Sequence, residues 1–241
     1  MSALLTEKQA QFNAAMERYE RTPAFRLVTR VVAFSNVALQ LATAYLLVRE
    51  PIGYGANAIA IVTAYVLADF INGWVHLHMD NSDNYESFTG PFYAAFHLHH
   101  RTPRYRLRPV WLVYYEESGS KVWLCIVEVL LFVGVGLKWH SPWFAHLVLY
   151  FAILSCVAEV SHYLCHVPPT RWGRVLARVG LLLSSRYHGR HHREDNVQYA
   201  FLNGMTDPLL DWIAKRFYSG YKSTTDRHFA QYFGKGTENR H

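Results

Sequence analysis

Charge is scarce in this sequence. Asp, Glu, Lys and Arg make up 17% of its 241 residues while hydrophobic residues make up 51%, a balance that suits one domain and points toward a membrane. Cysteine is scarcer still: Cys125, Cys156 and Cys165 fall in apolar blocks without CxxC or zinc-finger spacing, which argues against a disulfide framework or a cysteine metal knuckle. The first 26 residues lack a short apolar core followed by a small-residue cleavage site, so no cleaved signal peptide is expected. Internal repeats and low-complexity tracts are absent, and no segment reads as a haem, flavin or iron–sulfur module. The net charge of +6 does not call for a nucleic-acid partner, because Lys and Arg collect between the apolar blocks, where basic membrane flanks account for them.

Four apolar blocks approach the roughly 20 residues that a helix needs to cross the hydrocarbon core. They run from about Val31 to Val48, Ala56 to Val75, Val122 to Leu137 and Trp143 to Leu164. The third is short for a crossing. Asp69, Glu128 and Glu159 lie inside these blocks, where a carboxylate is costly unless paired or turned to a cavity; each either lines or orients a site or fixes helix packing through polar neighbours. Links 49–55 and 138–141 hold only Arg49 and Lys138, and the other basic residues lie in the N-terminal arm, the loop 80–121 and the tail after His166. By the positive-inside rule both termini are cytoplasmic. The segment "TRWGRVLARVGLLLSS" places apolar residues at helical spacing with Arg171, Arg174 and Arg178 among them, which suits a helix lying in the membrane interface. The expected fold is an all-α integral membrane protein of about four transmembrane helices with a cytoplasmic His-rich cap and an interfacial amphipathic helix. Its expected divisions are a cytoplasmic arm over 1–26, a membrane domain over 27–215 and a tail over 216–241.

Histidine is abundant, with 14 residues, and its arrangement says more than its number. The second block ends "GWVHLHMDN", where His76 and Asp80 are four apart and share a helix face. The following loop, "FHLHHRTP", offers His97, His99 and His100. The fourth block ends "EVSHYLCH", making His162 and His166 another such pair, and "YHGRHH" supplies His188, His191 and His192. All four stretches fall on one predicted side. Imidazole is a common ligand for iron, copper and zinc, and eight imidazoles exceed the four or so ligands of a single zinc. Two irons use them naturally, while two zincs or copper stay open on this argument.

The ordered stretches "DFINGWVHLHMDN", "PFYAAFHLHHRTP", "EVSHYLCH" and "RYHGRHH", followed by "NGMTDPLLD", resemble the Kua-type lipid desaturases over about residues 60–215. That family includes plasmanylethanolamine desaturases and the plant plastid phosphatidylglycerol desaturase. The resemblance implies an HxxxD box on His76 and Asp80, a paired box on His99 and His100, HxxxH on His162 and His166, and HxxHH on His188, His191 and His192. Asp80 then either ligates metal or holds a ligand imidazole, the second role being favoured. His97, Asp69 and Glu159 are additional candidates as ligands or as residues that orient ligands. His78 lies outside the pattern, and Tyr187 stands where animal members carry another His.

What the resemblance implies is a membrane enzyme with two Fe ions and O2 as co-substrate, desaturating a lipid acyl or alkyl chain, a plasmanyl lipid to vinyl-ether plasmalogen being one case. An unactivated CH2 calls for a metal and O2, because no side chain is a strong enough oxidant. Electrons then come from a partner such as a cytochrome b5 or ferredoxin. Arg101, Arg104, Arg106 and Arg108 either bind a headgroup phosphate, attract an acidic donor, or simply flank a span. The expected setting is a bacterial inner membrane or the endoplasmic reticulum, with the metal site on the cytoplasmic face. The nearest alternative is a fatty-acid or sterol hydroxylase with similar His boxes; a membrane metal-binding or transport protein is a rival of another class.

Overall fold

The computed structural model describes residues 3–101, 107–168, 170–194 and 196–218, which form helices and, among these residues, no strand. In chain order the helices are α1 (Ala3–Arg21), α2 (Pro23–Leu47), α3 (Tyr54–Asn81), α4 (Gly90–Arg101), α5 (Val110–Glu117), α6 (Val122–Gly136), α7 (Pro142–His166), α8 (Arg171–Arg178), α9 (Ser185–His191) and α10 (Asp207–Phe217). Pro23, Pro142 and Pro208 each stand in a first turn, where the missing N–H would have had no partner anyway.

Three of these helices, α2, α3 and α7, are long and apolar enough to cross a membrane. The third expected span is different. At 15 residues α6 covers about 22 Å, short of the roughly 30 Å hydrocarbon core; α5 and α6 meet at a 93° bend and are long and apolar enough only together, as a broken span or a re-entrant loop. The short 3-10 turn Ser118–Ser120 forms the elbow, and Asn36 of α2 donates to the Ser118 carbonyl at 2.9 Å.

The bundle turns many large apolar side chains outward and buries polar ones among its apolar core clusters, as a lipid surround allows. Along α2, Leu27, Val31, Phe34, Leu41 and Tyr45 face outward while Asn36, Gln40 and Thr43 are buried. On α3, every fourth residue from Ala60 through Ala64, Ala68, Asn72 and His76 to Asp80 is buried. The alanines let α3 approach α7, its most extensive neighbour, because small side chains bring helix backbones together. Further along, the same stripe changes from packing surface to chemistry.

Towards the His-bearing end the remaining elements close over α3 and α7. The expected N-terminal arm is helix α1, whose Phe12, Ala15 and Met16 pack on Tyr85, Ala94 and Leu98 beside and within α4. The segment Tyr199–Leu202 packs against Leu77 and Ala68 of α3 and Ala158 of α7, with Leu210 and Ala214 of α10 behind it. Beyond residue 218, the expected tail lies outside the described residues. The amphipathic run from 170 to 185 yields a shorter helix than its periodicity suggests. It ends at Arg178 because Gly180 adopts φ 75, the left-handed conformation that closes a helix and that glycine takes without a Cβ penalty. Leu183 then turns into the core.

Candidate metal centre

Four helices deliver nine donor side chains to one place. His76 and Asp80 come from the last turns of α3, His99 and His100 from α4, His162 and His166 from the end of α7, and His188, His191 and His192 from α9 and its C-cap. They sort into two groups: His99, His162, His166, His188 and His192 in one, and His76, Asp80, His100 and His191 in the other, each with its donor atoms within 4.8 Å of one another. Helical geometry explains the sorting. Residues four apart share a face, so His162 pairs with His166, His188 with His192, and His76 with Asp80. Consecutive residues on a helix point about 100° apart, so the doublets His99–His100 and His191–His192 each send one ring to each group. The groups therefore adjoin, with the His99 and His100 rings 4.3 Å apart and those of His100 and His192 4.7 Å apart.

In the five-histidine group the Nε2 atoms face one another: His162 to His166 at 3.1 Å, His166 to His188 at 3.0 Å and His188 to His192 at 2.9 Å. A neutral imidazole has one N–H and one lone pair, so an ion at the centre of this crowd of nitrogens can be met by lone pairs from every ring. Nitrogens bound side by side to one ion, at bonds of about 2.0–2.1 Å, stand about 3 Å apart, and the observed spacings fit that. His99 donates its Nδ1 proton to the Phe96 carbonyl at 2.6 Å, and its buried Nε2 has no hydrogen-bond partner. Burial first, and then the neighbouring imidazoles, hold His99 and His188 well below the ordinary histidine range and His192 down to about 3. These rings are neutral at pH 7, the state that binds metal.

The second group centres on Asp80. Its carboxylate lies 2.9 Å from His100 Nε2 and 3.2 Å from Nε2 of both His76 and His191. His76 gives its Nδ1 proton to the Tyr199 carbonyl at 2.8 Å, and His191 gives its own to the Val197 carbonyl at 2.9 Å. Each ring is thereby fixed in the tautomer whose Nε2 lone pair points at the carboxylate, the outer hydrogen bonding typical of metal-ligating histidine. Buried His76 Nε2 stands 3.2 Å from the Asp80 carboxylate, and a lone pair aimed at a carboxylate calls for a cation between them. Imidazole with one carboxylate suits a transition metal, so the donor set fits metal in both groups.

The two carbonyls are held by a clamp that sequence reasoning did not assign. Asn196 and Gln198 take positive φ, 52 and 61, a strained backbone that surrounding contacts must hold. Asp211 accepts from Gln198 N at 2.7 Å and Asp207 from Ala200 N at 2.8 Å. Asp69 takes three backbone N–H bonds, from Asn203, Gly204 and Thr206, and one from the Thr206 hydroxyl. Gly73 of α3 lets this segment lie close: a Cβ there would come within 2.9 Å of Ala200 Cα. "NGMTDPLLD" in the sequence marked the clamp without revealing what it holds. Tyr187 belongs to the clamp rather than to either donor group, its hydroxyl reaching the Gly204 carbonyl at 3.4 Å.

Three further candidates stand apart from the donor groups. His97 bonds Tyr85 OH through Nδ1 at 2.8 Å and donates Nε2–H to the Met79 carbonyl at 2.7 Å, which ties α4 to the end of α3. Asp69 anchors the 203–206 turn. Glu159 pairs with Lys121 at 2.7 Å, and Lys121 also donates to Asn72, which donates to Ser155 at 3.1 Å. Glu128 accepts from Gln40 at 2.7 Å. Lys121 was not singled out in the sequence, where it reads as one more basic flank. Arg108 is engaged by Glu116 and Glu117 and so is no free phosphate ligand; Arg101, Arg104 and Arg106 lie outside the described side chains. The remaining described histidines, His78, His140 and His146, bond Ser82, Glu50 and the Pro142 carbonyl.

With this geometry in view, the chain was compared with known proteins. The family model for the lipid desaturase domain matches residues 65–224, which contains every donor of both groups. Fatty acid desaturase 4, chloroplastic, of Arabidopsis thaliana is 28% identical over 163 residues, 64% of this chain and 47% of the relative. The chain thus matches about half the length of that curated relative. No solved structure matches.

Proposed function

The chain belongs to the lipid desaturase family, and from that premise we propose that it is a membrane di-iron enzyme that uses O2 and an external electron donor to place a double bond in a lipid acyl or alkyl chain. The observation that carries this reading is the pair of adjoining donor groups, five imidazoles in one and three imidazoles with a carboxylate in the other. His99, His162, His166, His188 and His192 would hold one ion; His76, Asp80, His100 and His191 would hold the second. In this reading Asp80 is itself a ligand, because His76 and His191 turn their Nε2 atoms toward it and spend their Nδ1 protons on backbone carbonyls. The chemistry that iron supplies when bound is O2-dependent removal of hydrogen from an unactivated CH2, which no side chain can do.

The rest falls to this chain's own residues. Buried Phe201 and Tyr199 and partly buried Phe96 pack edge or face against the His76, His99, His162 and His191 rings, limiting water and fixing ring orientation. Carbonyls of Val197, Tyr199 and Phe96 set three of the tautomers. The outward apolar faces of α2, α3 and α7 meet the hydrocarbon from which a lipid chain arrives. The basic flanks favour a cytoplasmic side for the donor groups, where a small carrier such as a cytochrome b5 or a ferredoxin would deliver electrons.

Metal analysis of the purified chain and mass analysis of lipids from cells with and without it test the reading. The expected results are about two irons per chain and a product lighter by two hydrogens. Zinc in place of iron overturns the di-iron assignment, and a product heavier by one oxygen overturns desaturation in favour of hydroxylation. A vinyl ether among the products assigns an alkyl-lipid substrate, and a new double bond in a fatty acyl chain assigns an acyl one.

A further inference from the structure

Beside the donor groups lies a pocket of about 640 Å³ lined by Leu164 of α7, Gly173, Arg174, Ala177 and Arg178 of α8, and residues 182–186. Its walls are of two kinds. Leu164, Ala177, Leu182 and Leu183 are apolar, while Arg174, Arg178 and Arg186 bring three positive charges, and no Asp or Glu is among its lining residues. None of these arginines has an ion-pair partner among the described residues, whereas Arg108, Arg190 and Arg21 all do. Three guanidinium groups without acids around one cavity make a positive potential that attracts an anion.

The placement of α8 says which kind of anion. Trp172, Val175 and Val179 are 74%, 43% and 62% exposed and fall on one side of the helix, whereas Arg174 and Arg178, four apart, fall on the other with Ala177. A helix with this division lies at the surface of a bilayer, apolar side down. The pocket therefore opens at headgroup depth. Its floor adjoins the donor groups along the chain: Leu164 stands between His162 and His166, and Arg186 is two residues before His188.

We propose that this pocket binds the phosphate of a phospholipid, with Arg174, Arg178 and Arg186 as the residues that select a phosphate-bearing lipid over a neutral one. Guanidinium matches phosphate with two parallel N–H···O bonds, and the apolar walls receive the first carbons of the tails. The site rests on the reading that the chain acts on membrane lipid, and it assigns the headgroup contact to named side chains. It also moves the phosphate-binding role away from Arg108, which two glutamates already neutralise.

The test is equilibrium binding to the purified full chain in neutral detergent, followed by fluorescence anisotropy of two tail-labelled lipids, phosphatidylmethanol and diacylglycerol. Binding needs no turnover, so a chain that binds the phospholipid but yields no desaturated product would refute the proposed reaction and leave the site standing. The double variant Arg174→Gln/Arg178→Gln is expected to weaken phosphatidylmethanol binding by about 10-fold or more and Arg186→Gln by about 5-fold, with diacylglycerol unaffected and melting temperatures preserved. Arg171→Gln, outside the pocket, is expected to change binding by less than about 2-fold. An equal loss in Arg171→Gln overturns the proposal in favour of bulk positive charge. Unchanged binding in the double variant also overturns it, and so does displacement of the labelled lipid by millimolar inorganic phosphate, which would make the pocket a free-anion site.

Discussion

Two polar regions are buried in the bundle around α3 and α7, and they are built on opposite principles. In the middle of the bundle donors meet acceptors: Lys121 reaches Glu159 and Asn72, Asn72 reaches Ser155, and Gln40 reaches Glu128. At the end of the same helices imidazole nitrogens lie about as close as cis ligands on one ion, with a carboxylate among three others. Charge and hydrogen bonding in the first region are balanced by the chain itself. In the second they balance only when a cation is supplied. A buried polar group is thus not a sign of function by itself; the sign is a set of buried groups of metal-ligating type that the protein turns toward one another.

The contrast predicts different losses for the two regions. Replacing His99 or His188 by Ala should abolish product, at least a 100-fold loss by lipid mass analysis, with the protein still inserted in the membrane; full activity in both variants would break the assignment. Chelation comes next. A ligand present at 100 times its Kd stabilises by about 2.7 kcal/mol per site, so stripping two ions should lower the melting temperature of the wild-type chain markedly, and Lys121→Met should show the same drop from a lower start. Lys121→Met itself leaves Glu159 buried without its partner, a cost of about 3–5 kcal/mol seen in melting, while product formed per folded molecule changes little. Joining Glu159→Leu to it should recover much of that stability, because removing both partners of a buried pair costs less than removing one.

A smaller effect sharpens the comparison from the side of the clamp. Burial pushes the Asp207 carboxyl up from 3.8 to about 7. Its folded form therefore holds a proton that the unfolded chain has already lost between these values, and the stability tied to that proton falls as pH rises from about 4 to about 7. Relative to Asp207→Asn, the wild-type chain should lose stability across this window, by about 2–4 kcal/mol, measured as melting temperatures at pH 5 and pH 8. A constant difference between the two proteins would remove Asp207 from the titrating groups.

Much of the donor set was legible before folding because helices convert spacing into direction. His76 with Asp80, His162 with His166, and His188 with His192 are four apart, so each pair had to share a face wherever its helix went. The long apolar runs of α2, α3 and α7 were equally plain. The elbow between α5 and α6 was not, because a 15-residue helix and a short preceding helix carry the same apolar composition as one short span. Nor were the roles of Asp69 and Glu159: their spacing matched either reading, and only their partners, the 203–206 backbone and Lys121, decided between them.

The chain's own order of residues determined that it would be helical, membrane-bound and able to gather eight imidazoles at one end, since those follow from hydrophobic period and i, i+4 spacing, which are local. Tertiary structure alone decided that the donors divide five and four, that Asp80 lies among the Nε2 atoms rather than behind a ring, and that backbone carbonyls from 197 and 199 set two tautomers. The division and the placing of Asp80 depend on contacts between elements far apart in the chain, as His76 with Tyr199, 123 residues on, shows. Backbone atoms are the same at every position, so their part in the site is written only in where the fold puts them.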